Sequence, residues 1–115
     1  MRPTLVTALL WSTLVTAQSS YISSEQREQW HTTDAEPAEP FRVMGNIYFV
    51  GARGLASYLI ATPDGHILHD TGTIEMHDVI RSNIQTLGFE VEDVKFMLHS
   101  HAHVDHMQGH AAMKR

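Results

Sequence analysis

Apolar and polar positions alternate in short runs through the middle of the chain, change to a helical period, and then alternate again. "FRVMGNIYFV" at residues 41–50 holds two short β-rich runs around Gly45-Asn46, the pattern of a hairpin. "LASYLIA" predicts a third strand. "TPDG" at residues 62–65 predicts a turn, because Pro63 presets φ and Gly65 closes it easily. "HILHD" reads as a short return strand, and "DTGT" at residues 70–73 breaks it. From Glu75 the period changes: Met76, Val79, Ile80, Ile84 and Leu87 recur at helical spacing. Gly88 stands where a C-terminal cap belongs. "VEDVKFMLHS" returns to extended character with Val94, Phe96 and Leu98 on one face, and "MQGHAAMKR" predicts the first turns of another helix. No internal repeat is evident.

The residues before this pattern differ in kind. Residues 1–17 read as a signal peptide: Arg2 supplies charge, residues 5–15 are mostly apolar, and Val15-Thr16-Ala17 offers small residues for cleavage. The apolar run is too short for a bilayer span, which needs roughly 20 residues. The competing reading is a buried N-terminal helix. Export predicts a mature chain beginning at Gln18, in the periplasm or secreted. Residues 18–40 are polar, with Pro37 and Pro40 close together, and read as an arm. Trp30, the one large apolar group in its middle, is expected to dock on something. Residues 41–115 form the ordered part.

Composition narrows the function. The chain has 115 residues, enough for one small domain. Hydrophobic residues make up 43% and charged residues 18%, a globular balance. A net charge of −5 with no basic stripe argues against nucleic acid as a partner. Cysteine is absent, so no disulfide framework or thiolate ligand exists. Histidine stands out, with nine copies against eight lysines and arginines.

Most of the candidate chemistry lies in "HSHAHVDH", residues 99–106. In an extended segment, residues two apart point the same way, so His101 and His103 can reach one metal ion together. Zinc takes imidazole nitrogen and usually wants four ligands. A strand-to-helix turn would swing Asp105 and His106 to the other side, which suits a second metal. Paired zincs would hold a hydroxide that is a strong nucleophile at neutral pH, with Asp105 as both ligand and orienting acceptor. Two rival readings are a solvated polar loop and a chelate of His106 with His110, four residues apart on one helix face. The second leaves His101 and His103 unexplained.

"HAHVDH" at residues 101–106 resembles the metal motif of the metallo-β-lactamase superfamily. The resemblance extends over nearly everything from Trp30 onward, through "PFRVMGNIYFVG", "LASYLIATPDGHILHDTG" and "VKFMLHSHAHVDH", and is greatest to the third subclass of class B. Within the lactamases His106 discriminates that subclass. The resemblance implies an α/β fold, the N-terminal half of an αββα sandwich with a mixed sheet and flanking helices. It implies that His101 and His103 bind a first zinc, that Asp105 and His106 bind a second, and that Asp70 of "DTG" supports the site without ligating. It also implies a small-molecule substrate, a β-lactam opened by attack of zinc-bound hydroxide, in an exported enzyme of antibiotic resistance. His69 and His99 depart from the usual pattern, and each is expected to be a partly buried histidine with a hydrogen-bond partner.

The superfamily's domain is about twice this long, and its further zinc ligands are not in this sequence. The chain therefore reads as an incomplete, truncated N-terminal half that is inactive alone. The aliphatic face of Leu55, Tyr58, Ile60 and Leu68 is expected to lack a partner. The alternatives are a hydrolase of the same fold acting on thioesters or lactones, or a non-enzymatic exported zinc-binding fragment.

Overall fold

The computed structural model describes residues 23–114. The expected signal peptide and the Trp30 side chain lie outside what it describes. The first element is helix α1 (Ser24–Asp34), in the segment expected to be an arm. Its start is a capping box: the Gln26 amide donates to Ser23 Oγ at 3.1 Å, and the Ser23 amide donates to Gln26 Oε1 at 3.1 Å. An apolar period cannot reveal such a helix, because apart from Trp30 its residues are polar, and those whose side chains are described are mostly exposed.

Strands β1 (Phe41–Met44), β2 (Ile47–Phe49), β3 (Tyr58–Ile60), β4 (His66–His69) and β5 (Val94–Leu98) form one sheet in sequence order. The first four pair antiparallel; β4 and β5 run parallel. The expected hairpin turns at Gly45, which adopts a φ of 52°. Asn46 Nδ2 donates to the Ala61 carbonyl at 2.8 Å, tying that turn to the end of β3. Helix α2 (His77–Thr86) makes the crossover that parallel strands require. It ends in a Schellman motif at Gly88 (φ 84°): the Phe89 amide reaches the Ile84 carbonyl at 3.2 Å and the Gly88 amide that of Gln85 at 2.9 Å.

The core lies between α2 and one face of the sheet. Leu59 pairs with Leu68 across β3 and β4, and both are fully buried with Val50, Met76, Ile80 and Ile84. Buried Asn83 locks α2 in place, donating to the carbonyls of Gly51 at 2.9 Å, Val50 at 3.1 Å and Ala38 at 3.2 Å. This placement corrects the expectation for Leu68 and Leu55. Register puts Leu68 on the helix-covered face, and Leu55 packs against the same cluster. Tyr58 and Ile60 belong to the opposite face with Ile67, Phe96 and Leu98, since paired residues point the same way. Phe96 is 65% exposed and Leu98 51%.

Val94 also departs from the expected face. The pairs His66–Val94 and Ile67–Phe96 leave Lys95 as an extra residue, so the bulge turns Val94 toward the core. The last helix is two short pieces, α3 (Val104–Met107) and α4 (His110–Met113), and it begins inside the histidine motif. Among the described residues no helix is long and apolar enough to cross a membrane.

Candidate metal centre

Because β4 and β5 are parallel, their C-terminal ends lie side by side, the usual place for a site in such sheets. The Asp70 amide donates to the Leu98 carbonyl at 2.8 Å, closing the ladder. Asp70 then takes a φ of 59°, a left-handed conformation that aspartate tolerates better than most residues. The turn buries its carboxylate beneath residues 99–106. Oδ1 accepts the Ser100 amide at 2.7 Å; Oδ2 accepts the Ser100 hydroxyl at 2.8 Å and His106 Nδ1 at 2.8 Å. Burial works to raise its pKa. The hydrogen bonds from His106 and Ser100, with the positive potential of His69, outweigh that, and the net shift is downward.

Above Asp70 the four motif residues stand as two pairs. His101 Nε2 and His103 Nδ1 face each other at 3.0 Å. His106 Nε2 and Asp105 Oδ2 face each other at 3.4 Å. The His101 and His106 rings connect the pairs, with centroids 4.1 Å apart. Two donors on a tetrahedral zinc at about 2.0–2.1 Å lie roughly 3.3–3.4 Å apart. The Asp105–His106 separation matches that, and His101 and His103, at 3.0 Å, would part by about 0.3 Å to share an ion. The other ring nitrogens are also occupied suitably: His101 Nδ1 lies 3.1 Å from Ser100 Oγ, and His106 Nδ1 is on Asp70. A ligating imidazole normally gives its second nitrogen to such a partner. The donor set therefore fits zinc in type and spacing. Among the described residues no group of three or more histidine, aspartate or glutamate side chains converges to hold one ion.

The remaining histidines separate clearly. His99, on the far side of Ser100, has Nδ1 3.1 Å from the His106 carbonyl and Nε2 2.8 Å from His110 Nδ1. Burial, then the neighbouring His99 and Lys114, hold the His110 pKa below its ordinary value. His106 and His110, the rival pair, turn apart: His110 faces His99, while His106 faces Asp70 and Asp105. His69 is partly exposed, with Nδ1 3.8 Å from Asp70 Oδ2. His66 is buried at the other end of β4, edge-on to Phe89. His77 pairs with Asp78 at 3.1 Å. The side chain of His31 lies outside the described residues.

Two participants escaped sequence reasoning. Ser100 joins Asp70, His101 and His106 through one hydroxyl, and nothing in "HSHAH" marks that serine as special. The His106 carbonyl receives the Thr71 amide at 2.9 Å, which seats α3 on the 70–73 turn. Gly109 permits this approach, since a Cβ there would lie 2.4 Å from the Thr71 carbonyl oxygen.

Residues 50–115 match a family model described as the metallo-beta-lactamase superfamily. Among solved structures, the chain is similar to MEM-A1, a subclass B3 metallo-beta-lactamase from a soil metagenome library. It shares 49% identity with that enzyme at a TM-score of 0.68, covering 70% of this chain and 31% of that one. The match to the subclass B3 enzyme BJP-1 of Bradyrhizobium japonicum has 44% identity and a TM-score of 0.70, over 74% of this chain and 32% of that one. For the metallo-beta-lactamase GOB-18 of Elizabethkingia meningoseptica the values are 46% and 0.70, over 71% and 30%. The chain thus spans about a third of the length of the structures it matches.

Proposed function

The chain belongs to the metallo-β-lactamase superfamily, and on that premise we propose that it carries part of the zinc centre of an exported hydrolase that opens β-lactam rings. The observation that carries this reading is the pairing of donors above one buried carboxylate: His101 with His103, and Asp105 with His106, over Asp70. When bound, zinc supplies Lewis acidity and lowers the pKa of bound water to about 7.

The chain's own residues do the rest. His101 and His103 present one nitrogen each and would hold the first ion; Asp105 and His106 would hold the second. Asp70 accepts the Nδ1 hydrogen of His106, which leaves the lone pair on Nε2, toward Asp105. Asp105 is 43% exposed at its side chain, so its carboxylate can accept a hydrogen bond from an attacking water while touching His106. The charge, apolar run and small residues of positions 1–17, read as an export signal, favour a periplasmic or secreted place of action.

Catalytic zinc commonly has three protein ligands, and each pair here supplies two. The 115-residue chain alone is therefore expected to show no nitrocefin turnover with added zinc. Zinc-dependent turnover that His101→Ala abolishes would contradict that expectation. The lactam reading is tested by joining this chain to the part of BJP-1 that it does not match. The expected outcome is nitrocefin hydrolysis that His101→Ala abolishes. A chimera that folds, loads zinc and cleaves thioesters or lactones instead would replace this reading with the other hydrolase class. One that binds zinc and turns over none of these would favour a zinc-binding fragment.

A further inference from the structure

Helix α3 is only four residues long, so its last carbonyls have no partner within the helix. The His106 carbonyl is met from outside instead, by the Thr71 amide at 2.9 Å and by His99 Nδ1 at 3.1 Å. That carbonyl belongs to one proposed ligand and adjoins another. We propose that His99 and His110 are positioning residues for this centre: His110 orients the His99 ring, and His99 fixes the His106 carbonyl, holding the turn that presents Asp105 and His106. The proposal rests on the zinc reading above.

Hydrogen-bond chemistry dictates how the chain must run. A carbonyl only accepts, so the hydrogen between it and His99 sits on Nδ1 of His99. At its other nitrogen, His99 Nε2 faces His110 Nδ1 at 2.8 Å, so one hydrogen lies between the two rings. One chain of hydrogen bonds thus runs from His110 through His99 to the His106 carbonyl. It joins the end of β5, the start of α4 and the last residue of the metal motif.

Neither ring belongs to the two donor pairs, so their loss would act through placement. Removing partners one step behind metal ligands typically costs about 10- to 100-fold in metal affinity. Asparagine offers a discriminating replacement. Its amide nitrogen takes the place of the imidazole Nδ1 and can still donate to the His106 carbonyl, whereas alanine cannot.

The experiment has two readouts on the full chain. The first is long-range nitrogen–proton correlation spectroscopy of the zinc-free protein, which reports the tautomer of each histidine. Hydrogen on Nδ1 of His99 is expected. A His99 ring without hydrogen on Nδ1 overturns the proposal. The second is competition for zinc against a chelating dye. His99→Ala is expected to bind about 10- to 100-fold more weakly, with His99→Asn restored to within about threefold of the parent. Equal affinity of His99→Ala and the parent overturns the proposal, as does an asparagine variant as weak as alanine. If His99→Ala loses the parent's circular dichroism, His110→Ala becomes the deciding variant, and unchanged affinity there overturns the proposal. Failure of the unsubstituted chain to bind zinc overturns the zinc reading itself, and the positioning role with it.

Discussion

Asp70 Oδ2 stands 2.8 Å from His106 Nδ1, and the same imidazole turns Nε2 toward Asp105 Oδ2 at 3.4 Å. One buried carboxylate thus decides which nitrogen of His106 is available. Asp70→Asn keeps the backbone turn but replaces an ionised acceptor with a neutral amide. Zinc affinity should fall about 10- to 100-fold in dye competition. Asp70→Ala should fall further, since it also orphans the Ser100 amide and places alanine at a left-handed φ.

The same carboxylate makes stability depend on pH in a definite direction. Its folded pKa lies below the ordinary value of 3.8, so the unfolded chain binds its proton more readily. The stabilising contribution is full above that ordinary value and is lost as pH falls through the lowered folded value. Urea midpoints of the zinc-free chain should therefore be flat in Asp70 ionisation above about pH 5 and decline below about pH 4. Asp70→Asn should flatten the acid decline; an unchanged profile would argue against the downward shift.

Asn83 holds α2 to three backbone carbonyls from a buried position. Asn83→Ala removes those bonds together and should cost about 1–3 kcal/mol by chemical denaturation. A change below about 0.5 kcal/mol would place Asn83 among ordinary surface substitutions and contradict its role as an anchor.

Gly109→Ala would bring a methyl within 2.4 Å of the Thr71 carbonyl oxygen, a rigid backbone atom. Helix α3 must then lift from the 70–73 turn. The expected signs are a lower melting temperature and weaker protection of the Thr71 amide in hydrogen exchange, because that amide is bonded to the His106 carbonyl.

The sheet face opposite α2 carries Phe96 at 65% exposure, Leu98 at 51% and Phe41 at 54%. Large apolar patches promote association. Replacing Phe96 and Leu98 with lysine should reduce light scattering of concentrated chain while leaving the α2 core intact. Unchanged scattering would show that this face does not drive association.

Much of this architecture was legible in local pattern. Alternation located the strands and helical spacing located α2, because one face of each is buried and the other is not. Gly45-Asn46, Pro63 and Gly88 marked the expected turns and cap, since their backbone preferences are local. The motif at residues 101–106 carried the family resemblance, including that to the third subclass of class B. The mixed five-stranded sheet with its helices accords with that fold, of which the chain covers a part. Helix α1 was missed because its evidence is a cap, Ser23 with Gln26, without an apolar stripe. Leu68 and Val94 were assigned to the wrong face, because register and a bulge at Lys95 decide which side of a sheet a residue faces. A one-residue slip reverses that side, and it depends on a partner strand distant in sequence. The wiring beneath the motif is tertiary for the same reason. Asp70 and His106 are thirty-six positions apart, and only the parallel pairing of β4 with β5 brings their side chains within 2.8 Å.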